Sequence, residues 1–185
     1  LVHYQTVDST MELKFGDILI SHPKFHFKDF KKSVILLTEV GPVTTGLMLN
    51  QPFKKGMKQL LDKQGYDWPH NNEVYIGGFA NQSVLYCLHD NLWFSKSTQV
   101  VDSAYALSSD DFMIDKIASF NAPEFYKMFF GCLAWGPGQL QKQIYDNHWL
   151  VLQGDNKHIV EASTDESLYS LSIENYSQKT VTSFF

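Results

Sequence analysis

His89 is the side chain best placed for acid-base chemistry, because it ends an apolar run and is followed by Asp90. Strand ends carry side chains to the rims of clefts, where a histidine can exchange protons near neutral pH. A histidine that only holds a sheet edge by hydrogen bonds would give the same pattern. Cys132 is a second candidate, since it precedes an expected helix start that would favour the reactive thiolate. A buried, inert thiol is the alternative for it, as for Cys87.

Other catalytic and metal-binding patterns are missing from the sequence. It has no Gly-x-Ser-x-Gly nucleophile elbow and no phosphate loop ending in Lys-Ser or Lys-Thr. His22 and His26 are four residues apart, but Pro23 prevents the regular helix that would bring both to one zinc ion. We therefore expect no metal and no cofactor. Because no catalytic set is assembled, the sequence favours a protein that is not an enzyme.

A glycine-rich corner is the strongest candidate for ligand binding. The aromatic run that ends at Trp135 is followed by Gly136, Pro137 and Gly138, and Gln139 then begins an amphipathic segment. This pattern predicts a strand, a tight turn and a helix, with Pro137 as the first helical residue. Free amides at such a helix start can hold phosphate or carboxylate. A sharp packing corner without a ligand is the alternative interpretation.

Polar and glycine residues at other element ends extend this corner into a site hypothesis. Packing gives little reason for a particular residue type at such positions, so these residues are binding candidates rather than catalytic ones. The hypothesis assumes that the fold gathers them around the corner to bind a small anionic ligand. The candidate ligand-binding residues are Asn50, Gly77, Gly78, His89, Gly136, Gly138 and Gln139.

Strands outnumber helices in the predicted element order. Apolar runs predict strands at 16–21, 33–39, 47–50, 73–78, 84–88, 124–130 and 149–152, and helical faces are predicted at 57–65, 110–119 and 139–147. The second and third strands are expected to form a hairpin across a Gly-Pro loop. Hairpin-type connections with few, separated helices predict one α+β domain over 1–185.

Two helical details can also be predicted. Ser108 or Ser109 could cap the helix at 110–119, with Phe112, Ile117 and Phe120 turned inward. The chain from about 154 is a polar tail in which only a weak helical pattern, near 166–171, stands out.

Composition limits the classes of partner. The net charge of −5 and the pI near 5.7 argue against direct nucleic-acid binding, which is built on clustered Lys and Arg. Apolar runs fall well short of the roughly 20 residues of a membrane span, and the N-terminus does not resemble a signal peptide, so we expect a soluble, cytoplasmic protein. Aromatic residues form 15% of the chain and could expose a patch to a protein partner, for example Tyr66, Trp68, Trp93 and Phe94.

Several segments in one order resemble the bacterial YqgE/AlgH family. The match runs over about residues 10 to 155, and its breadth makes it specific, although single segments would not be. The matching segments are Gly16-Asp17-Ile18-Leu19-Ile20, His22-Pro23, Ser33-Val34-Ile35-Leu36-Leu37, Gly46-Leu47-Met48-Leu49-Asn50-Gln51-Pro52, Val74-Tyr75-Ile76-Gly77-Gly78, Leu88-His89 and Ala134-Trp135-Gly136-Pro137-Gly138-Gln139-Leu140, with Asn147 and Trp149.

The resemblance implies a compact single α+β domain with a coiled, mixed or antiparallel sheet and a few flanking helices. It implies no established activity, and the family's regulatory label is a transcriptional one. This chain departs from the family pattern at Val40, Gln51 and Phe79-Ala80, which weakens any role that depends on a histidine or basic side chain there. We expect a non-enzymatic regulatory or small-anion-sensing domain; an enzyme acting on a small anionic metabolite and a protein-interaction module are the alternatives.

Overall fold

The computed structural model describes residues 11–24, 28–162 and 167–184, in which one nine-stranded sheet is flanked by helices. The strands are β1 Ile18–Ser21, β2 Val34–Glu39, β3 Thr44–Met48, β4 Val74–Ile76, β5 Ala80–Asp90, β6 Gln99–Val100, β7 Tyr105–Ser108, β8 Tyr126–Trp135 and β9 Trp149–Leu152. The helices are a 3-10 turn at Lys28–Phe30, α1 Met57–Asp62, α2 Asp111–Ala118, α3 Gln139–Tyr145, α4 Lys157–Val160 and α5 Ser167–Thr182.

The sheet is mixed and curled, and β8 is its centre. The strand order is β6-β7-β5-β8-β3-β2-β1-β9, and β4 pairs with β8 outside this path. The pairs are antiparallel except β4 with β8, which is parallel. The predicted α+β class and the predicted hairpin of β2 and β3 are confirmed.

Alternation along β1 explains how the sheet is covered on both faces. Ile18 and Ile20 belong to one apolar cluster with Leu168 of α5, whereas Leu19 belongs to a second cluster with Leu140 of α3. Successive strand residues point to opposite faces, so α5 and α3 cover opposite sides of this strand. All three β1 residues are fully buried, and each contributes roughly 1.5–3 kcal/mol on burial.

The predicted start and inner face of α2 are partly wrong. Asp110, rather than Ser108 or Ser109, caps the helix, and its side chain accepts from the Met113 N–H. Met113 and Ile117 are four residues apart and form the buried face. Phe112 is one position before Met113 and therefore points away, with 50% of its surface exposed. Phe120 follows the helix in a left-handed conformation and is 76% exposed.

The polar tail contains the longest described helix, which the sequence predicted only weakly. α5 covers 16 residues and packs against β1, β2 and β9. Leu168 is its buried apolar anchor, and Tyr169 Oη donates to the Ser21 carbonyl at 2.8 Å. The tail is thus an integral layer of the fold.

Candidate functional site

The seven predicted site residues lie at three levels along β8. His89 is opposite Tyr126 near the start of the strand, whereas the corner follows Trp135 at its end. Gly77 lies beside the middle of β8, because its N–H donates to the Phe130 carbonyl. Its carbonyl accepts from the Met48 N–H, which places Asn50, two residues after Met48, in the same region. At about 3.3 Å per residue of extended strand, the midpoint is at most roughly 20 Å from the corner and His89 at most roughly 33 Å from it. The fold brings Asn50, Gly77 and Gly78 into one region but does not gather all seven.

His89 is fully buried and held at both ring nitrogens. Its Nδ1 lies 2.7 Å from the Asp90 carbonyl, to which it donates, and its Nε2 accepts from the Ser108 hydroxyl at 2.8 Å. The Trp93 ring packs edge-on at 4.9 Å. Burial lowers the pKa of His89 and outweighs the opposing effect of Asp90. The ring is therefore neutral and its hydrogen bonds are occupied within the fold.

Gly77 and Gly78 allow two backbone segments to touch. A Cβ on Gly77 would lie 2.3 Å from the Gly131 carbonyl oxygen, and one on Gly78 would lie 2.1 Å from the Cys132 carbonyl carbon. Asn50 also acts within the fold: its Nδ2 donates to the Lys32 carbonyl at 2.8 Å and its Oδ1 accepts from the Val34 N–H at 3.0 Å. These contacts account for the residue types without a ligand.

The glycine corner forms as a strand, turn and helix, but the helix begins later than predicted. α3 starts at Gln139 with Gly138 as its left-handed N-cap, so Pro137 lies in the turn and is not the first helical residue. The Gly136 N–H donates to the Gln139 Oε1 at 3.0 Å, and the Gln139 N–H donates to the Gly136 carbonyl at 3.1 Å. Two amides expected to face a ligand are thus used inside the corner.

The thiols and the remaining histidine pair show no catalytic arrangement. Cys87 and Cys132 are free and buried, as one of the two interpretations predicted. Burial, with a smaller effect of Asp90, raises the pKa of Cys87. His22 Nδ1 accepts from the Lys24 N–H at 3.1 Å, and His26 lies outside the described residues. Across residues 11–24, 28–162 and 167–184, no group of three or more His, Cys, Asp or Glu side chains could hold a metal ion.

Two of the aromatic residues expected in an exposed patch are buried. Trp68 is fully buried and its Nε1 donates to Asn72, while Trp93 is 8% exposed and its Nε1 donates to the Asn121 carbonyl. Phe94 remains 53% exposed, and its loop is joined to α2 by the bond from Lys116 Nζ to the Phe94 carbonyl. The exposed aromatic side chains are therefore partly different from those expected, and include Phe112 and Phe120.

A groove between α1 and α2 was missed by the sequence analysis. It encloses about 320 Å³ above the sheet. Its floor is apolar, and its rim is polar and exposed. The floor residues include Met57, Leu85, Met113 and Phe130, and the rim residues include Gln64, Ser83, Ser109 and Asp111. The groove depends on how two short helices are spaced over the sheet, for which the sequence carries no periodic signal.

Asp110 fixes the end of the groove next to α2. Its carboxylate accepts from Ser95 Oγ at 2.6 Å, Ser97 N at 2.9 Å, Ser97 Oγ at 2.7 Å and Met113 N at 3.0 Å. Partial burial acts to raise the pKa of Asp110, but these hydrogen bonds outweigh it and lower the pKa to about 2. A fixed negative charge therefore joins the 95–97 loop to the start of α2.

Comparisons with known proteins agree on one family. The family model DUF179, described as AlgH-like, matches residues 18–180. A UPF0301 protein of Mannheimia succiniciproducens is 34% identical over 158 residues, covering 81% of this chain and 84% of the relative. A UPF0301 protein of Haemophilus influenzae is 31% identical over 174 residues, covering 89% and 87%.

Solved structures show the same fold. The solution structure of the AlgH protein from Pseudomonas aeruginosa has a TM-score of 0.75 at 22% identity, over 91% of this chain and 92% of that one. The crystal structure of protein DIP2367 from Corynebacterium diphtheriae has a TM-score of 0.69 at 18% identity, over 89% and 87%. In the described part of the chain no helix has the length and apolarity needed to cross a membrane. On the family model and the relatives in sequence, this chain belongs to the AlgH-like UPF0301 family.

Proposed function

We propose that this protein is a non-enzymatic regulatory domain that acts by binding a partner molecule in the groove between α1 and α2. The observation that carries the proposal is the groove itself, an apolar-floored space of about 320 Å³ with a polar rim. Binding sites are usually concave and combine apolar side chains with polar groups, and the groove has both. The partner would place an apolar group over Met57 and Met113 and polar groups at the rim.

The placement of the reactive side chains supports a non-enzymatic role. His89 donates to one neighbour and accepts from another, and Cys87 is fully buried. Neither lines the groove. Binding without turnover therefore agrees better with the geometry than acid-base or thiol catalysis.

A small anion at the glycine corner is the less favoured form of the same proposal. The Gly136 and Gln139 amides bond within the corner, which leaves fewer donors for an anion. A transcriptional effect, as in the family's label, would run through a partner molecule rather than through DNA, because the net charge of −5 disfavours phosphate contacts.

A thermal-shift screen of fragments, metabolites and peptides on three proteins would test this proposal. Ile114→Arg places a charge in the groove wall, and Phe112→Arg is the matched control because Phe112 is exposed on the other side of the same helix. We expect ligands that raise the Tm of the wild type and of Phe112→Arg but not of Ile114→Arg. Two results would contradict the proposal: ligands that raise the Tm of Ile114→Arg as much as that of the wild type, or a ligand that the wild type converts to a product.

A further inference from the structure

Strand β5 is longer than the neighbour that covers one of its edges. β5 covers Ala80–Asp90, but β7 pairs only with its last part, from Cys87↔Ser108 to Asp90↔Tyr105. After Ser108 the chain turns away into α2. In the part of the chain that the structure describes, the earlier half of β5 has no strand neighbour on the β7 side. The register with β8 shifts between Ala80 and Leu85, so the regular part of the uncovered edge is at Leu85. An uncovered regular edge is a template for another strand.

Alternation along β5 shows which backbone groups face the uncovered edge. The Asn91 N–H donates to the Ala104 carbonyl on the β7 side, and the Asp90 N–H donates to the Phe125 carbonyl on the β8 side. Successive residues point their N–H and C=O to opposite edges, so odd-numbered residues, including Leu85, face the β7 side. Within the described residues, the Leu85 N–H and C=O have no hydrogen-bond partner on that side.

The uncovered edge runs along the groove. Ser83, Val84 and Leu85 line the groove in succession, next to the register shift between Ala80 and Leu85. The groove therefore reaches the edge of the strand at Leu85. Across the groove lie Ser109 and Asp111, which follow the end of β7 as the chain turns into α2. A strand added in the line of β7 would therefore lie in the groove and place alternate side chains over its floor.

We propose that the groove binds an extended peptide segment of a partner protein, which adds a strand to β5 beyond the end of β7. This rests on the proposed function and names the class of partner. The Leu85 N–H and C=O pair with the peptide backbone, and a large aliphatic or aromatic side chain of the peptide covers Phe130 and Met113. Strand addition combines main-chain hydrogen bonds with side-chain pockets in the same way at other exposed sheet edges.

The charge at the groove rim indicates that the peptide carries a basic residue. Asp111 is exposed at the groove rim, and the whole chain has a net charge of −5. A Lys or Arg next to the apolar anchor would therefore be favoured, and acidic peptides would be repelled. The expected segment is short and extended, with one large apolar side chain and a neighbouring basic one.

Selection from a random peptide library, displayed on phage, tests the assignment on the intact protein. Phage clones that bind the wild-type protein are kept, and clones that also bind Ile114→Arg are discarded. We expect enriched sequences with a large apolar residue and an adjacent Lys or Arg. A synthetic copy is then titrated by fluorescence polarisation. Asp111→Lys should weaken binding several-fold at low salt, whereas Glu174→Lys, at an exposed position of α5 on the other apolar cluster, should not. Enrichment of acidic peptides, or of none, would overturn the proposal.

Backbone N-methylation of the selected peptide separates strand addition from side-chain binding. Removing one N–H that pairs with β5 should weaken binding about tenfold, while methylation at the adjacent, outward position should have a much smaller effect. Equal effects at all positions, or none, would show that the groove binds side chains only and would reject strand addition. The proposed function would survive that result, because binding would still depend on Ile114.

A second copy of this chain is the competing occupant. It would appear as concentration-dependent self-association by sedimentation, absent in Ile114→Arg and retained in Phe112→Arg. That outcome would overturn the assignment to a foreign peptide. If small molecules but no peptides bind in an Ile114-dependent way, only the partner class is wrong; if nothing binds in that way, the proposed function fails as well.

Discussion

Glycine serves close packing at one place in this molecule and an open turn at another. At Gly77 and Gly78, the space for a Cβ is filled by backbone atoms of Gly131 and Cys132. At Gly136, no heavy atom lies within 4 Å of the same position. Backbone atoms cannot move aside as a flexible side chain can, so the two regions should respond in opposite ways to a methyl group.

Gly78→Ala should therefore be severely destabilising, by more than about 4 kcal/mol, or prevent folding. Gly136→Ala should leave stability unchanged or raise it by up to about 1 kcal/mol, because it restricts the unfolded chain. Urea unfolding followed by circular dichroism measures both. A stable, wild-type-like Gly78→Ala protein would show that β4 and β8 are not in the described contact.

Asp110 should make stability depend on pH in a defined window. Its folded pKa of about 2 lies below the ordinary value near 3.8, so its stabilisation is complete above about pH 4 and is lost as the pH falls through 2. Asp110→Ala should cost about 1–2 kcal/mol at pH 7 through loss of the helix cap. The difference between the urea midpoints of the wild type and Asp110→Ala should decrease as the pH is lowered from 5 to 2. A gap that stays constant would contradict the assigned pKa.

At the scale of elements, a single side chain ties α3 to two strands. Gln143 Oε1 accepts from Trp135 Nε1 of β8 at 3.0 Å and from Trp149 Nε1 of β9 at 2.9 Å. The corner at Gly136 turns the chain back so that α3 can lie across both strands. This arrangement gives the corner a structural purpose that is independent of any ligand.

Gln143→Met should leave two buried indole N–H groups without their acceptor and cost more than about 2 kcal/mol. Gln141→Met, on the exposed side of the same helix, should change stability by less than about 0.5 kcal/mol. Unfolding in urea, monitored by tryptophan fluorescence, reports both values. Equal stabilities of the two variants would show that the shared acceptor contributes nothing.

At the scale of the whole molecule, the sheet is stabilised by layers that come from distant parts of the sequence. α5 covers β1, β2 and β9, while α1 and α2 pack over β5 and β8 at the groove. The C-terminal helix therefore covers strands from the N-terminal part of the chain. The groove between α1 and α2 lies on a separate apolar cluster and is not part of that contact.

Leu168→Ala should destabilise the whole domain by about 2–5 kcal/mol, because Leu168 is 1% exposed in the cluster shared with Ile18. Ser170→Ala, which is exposed two residues later, should have little effect. The loss should appear in one cooperative unfolding transition in urea. A separate early transition confined to the C-terminal region would show that α5 is an independent appendage.

Strong local patterns were sufficient for much of the fold. The apolar runs of β1 and β2 predict strands because few other structures bury four such residues in succession. The Gly-Pro loop after β2 predicts that β3 is its hairpin partner. The sequence predicts α5 only weakly because its apolar residues are sparse. The helix packs on strands far away in sequence and donates from Tyr169 to the Ser21 carbonyl.

The candidate site was harder to predict, since sequence shows which residues are unusual but not which are neighbours. His89, Asn50 and Gly78 are predicted ligand-binding residues because each is polar or glycine at the end of an element. In the structure, contacts within the fold account for the residue type at each of the three positions.

By itself, the sequence determined the α+β class, the principal strands and the family, because hydrophobic periodicity, turn residues and ordered motifs are local properties of the chain. Only the tertiary structure decided that the chosen residues lie at separate levels of β8 and that a groove opens beside an uncovered strand edge. Those features depend on strand register and helix placement, which are set by packing between residues remote in sequence.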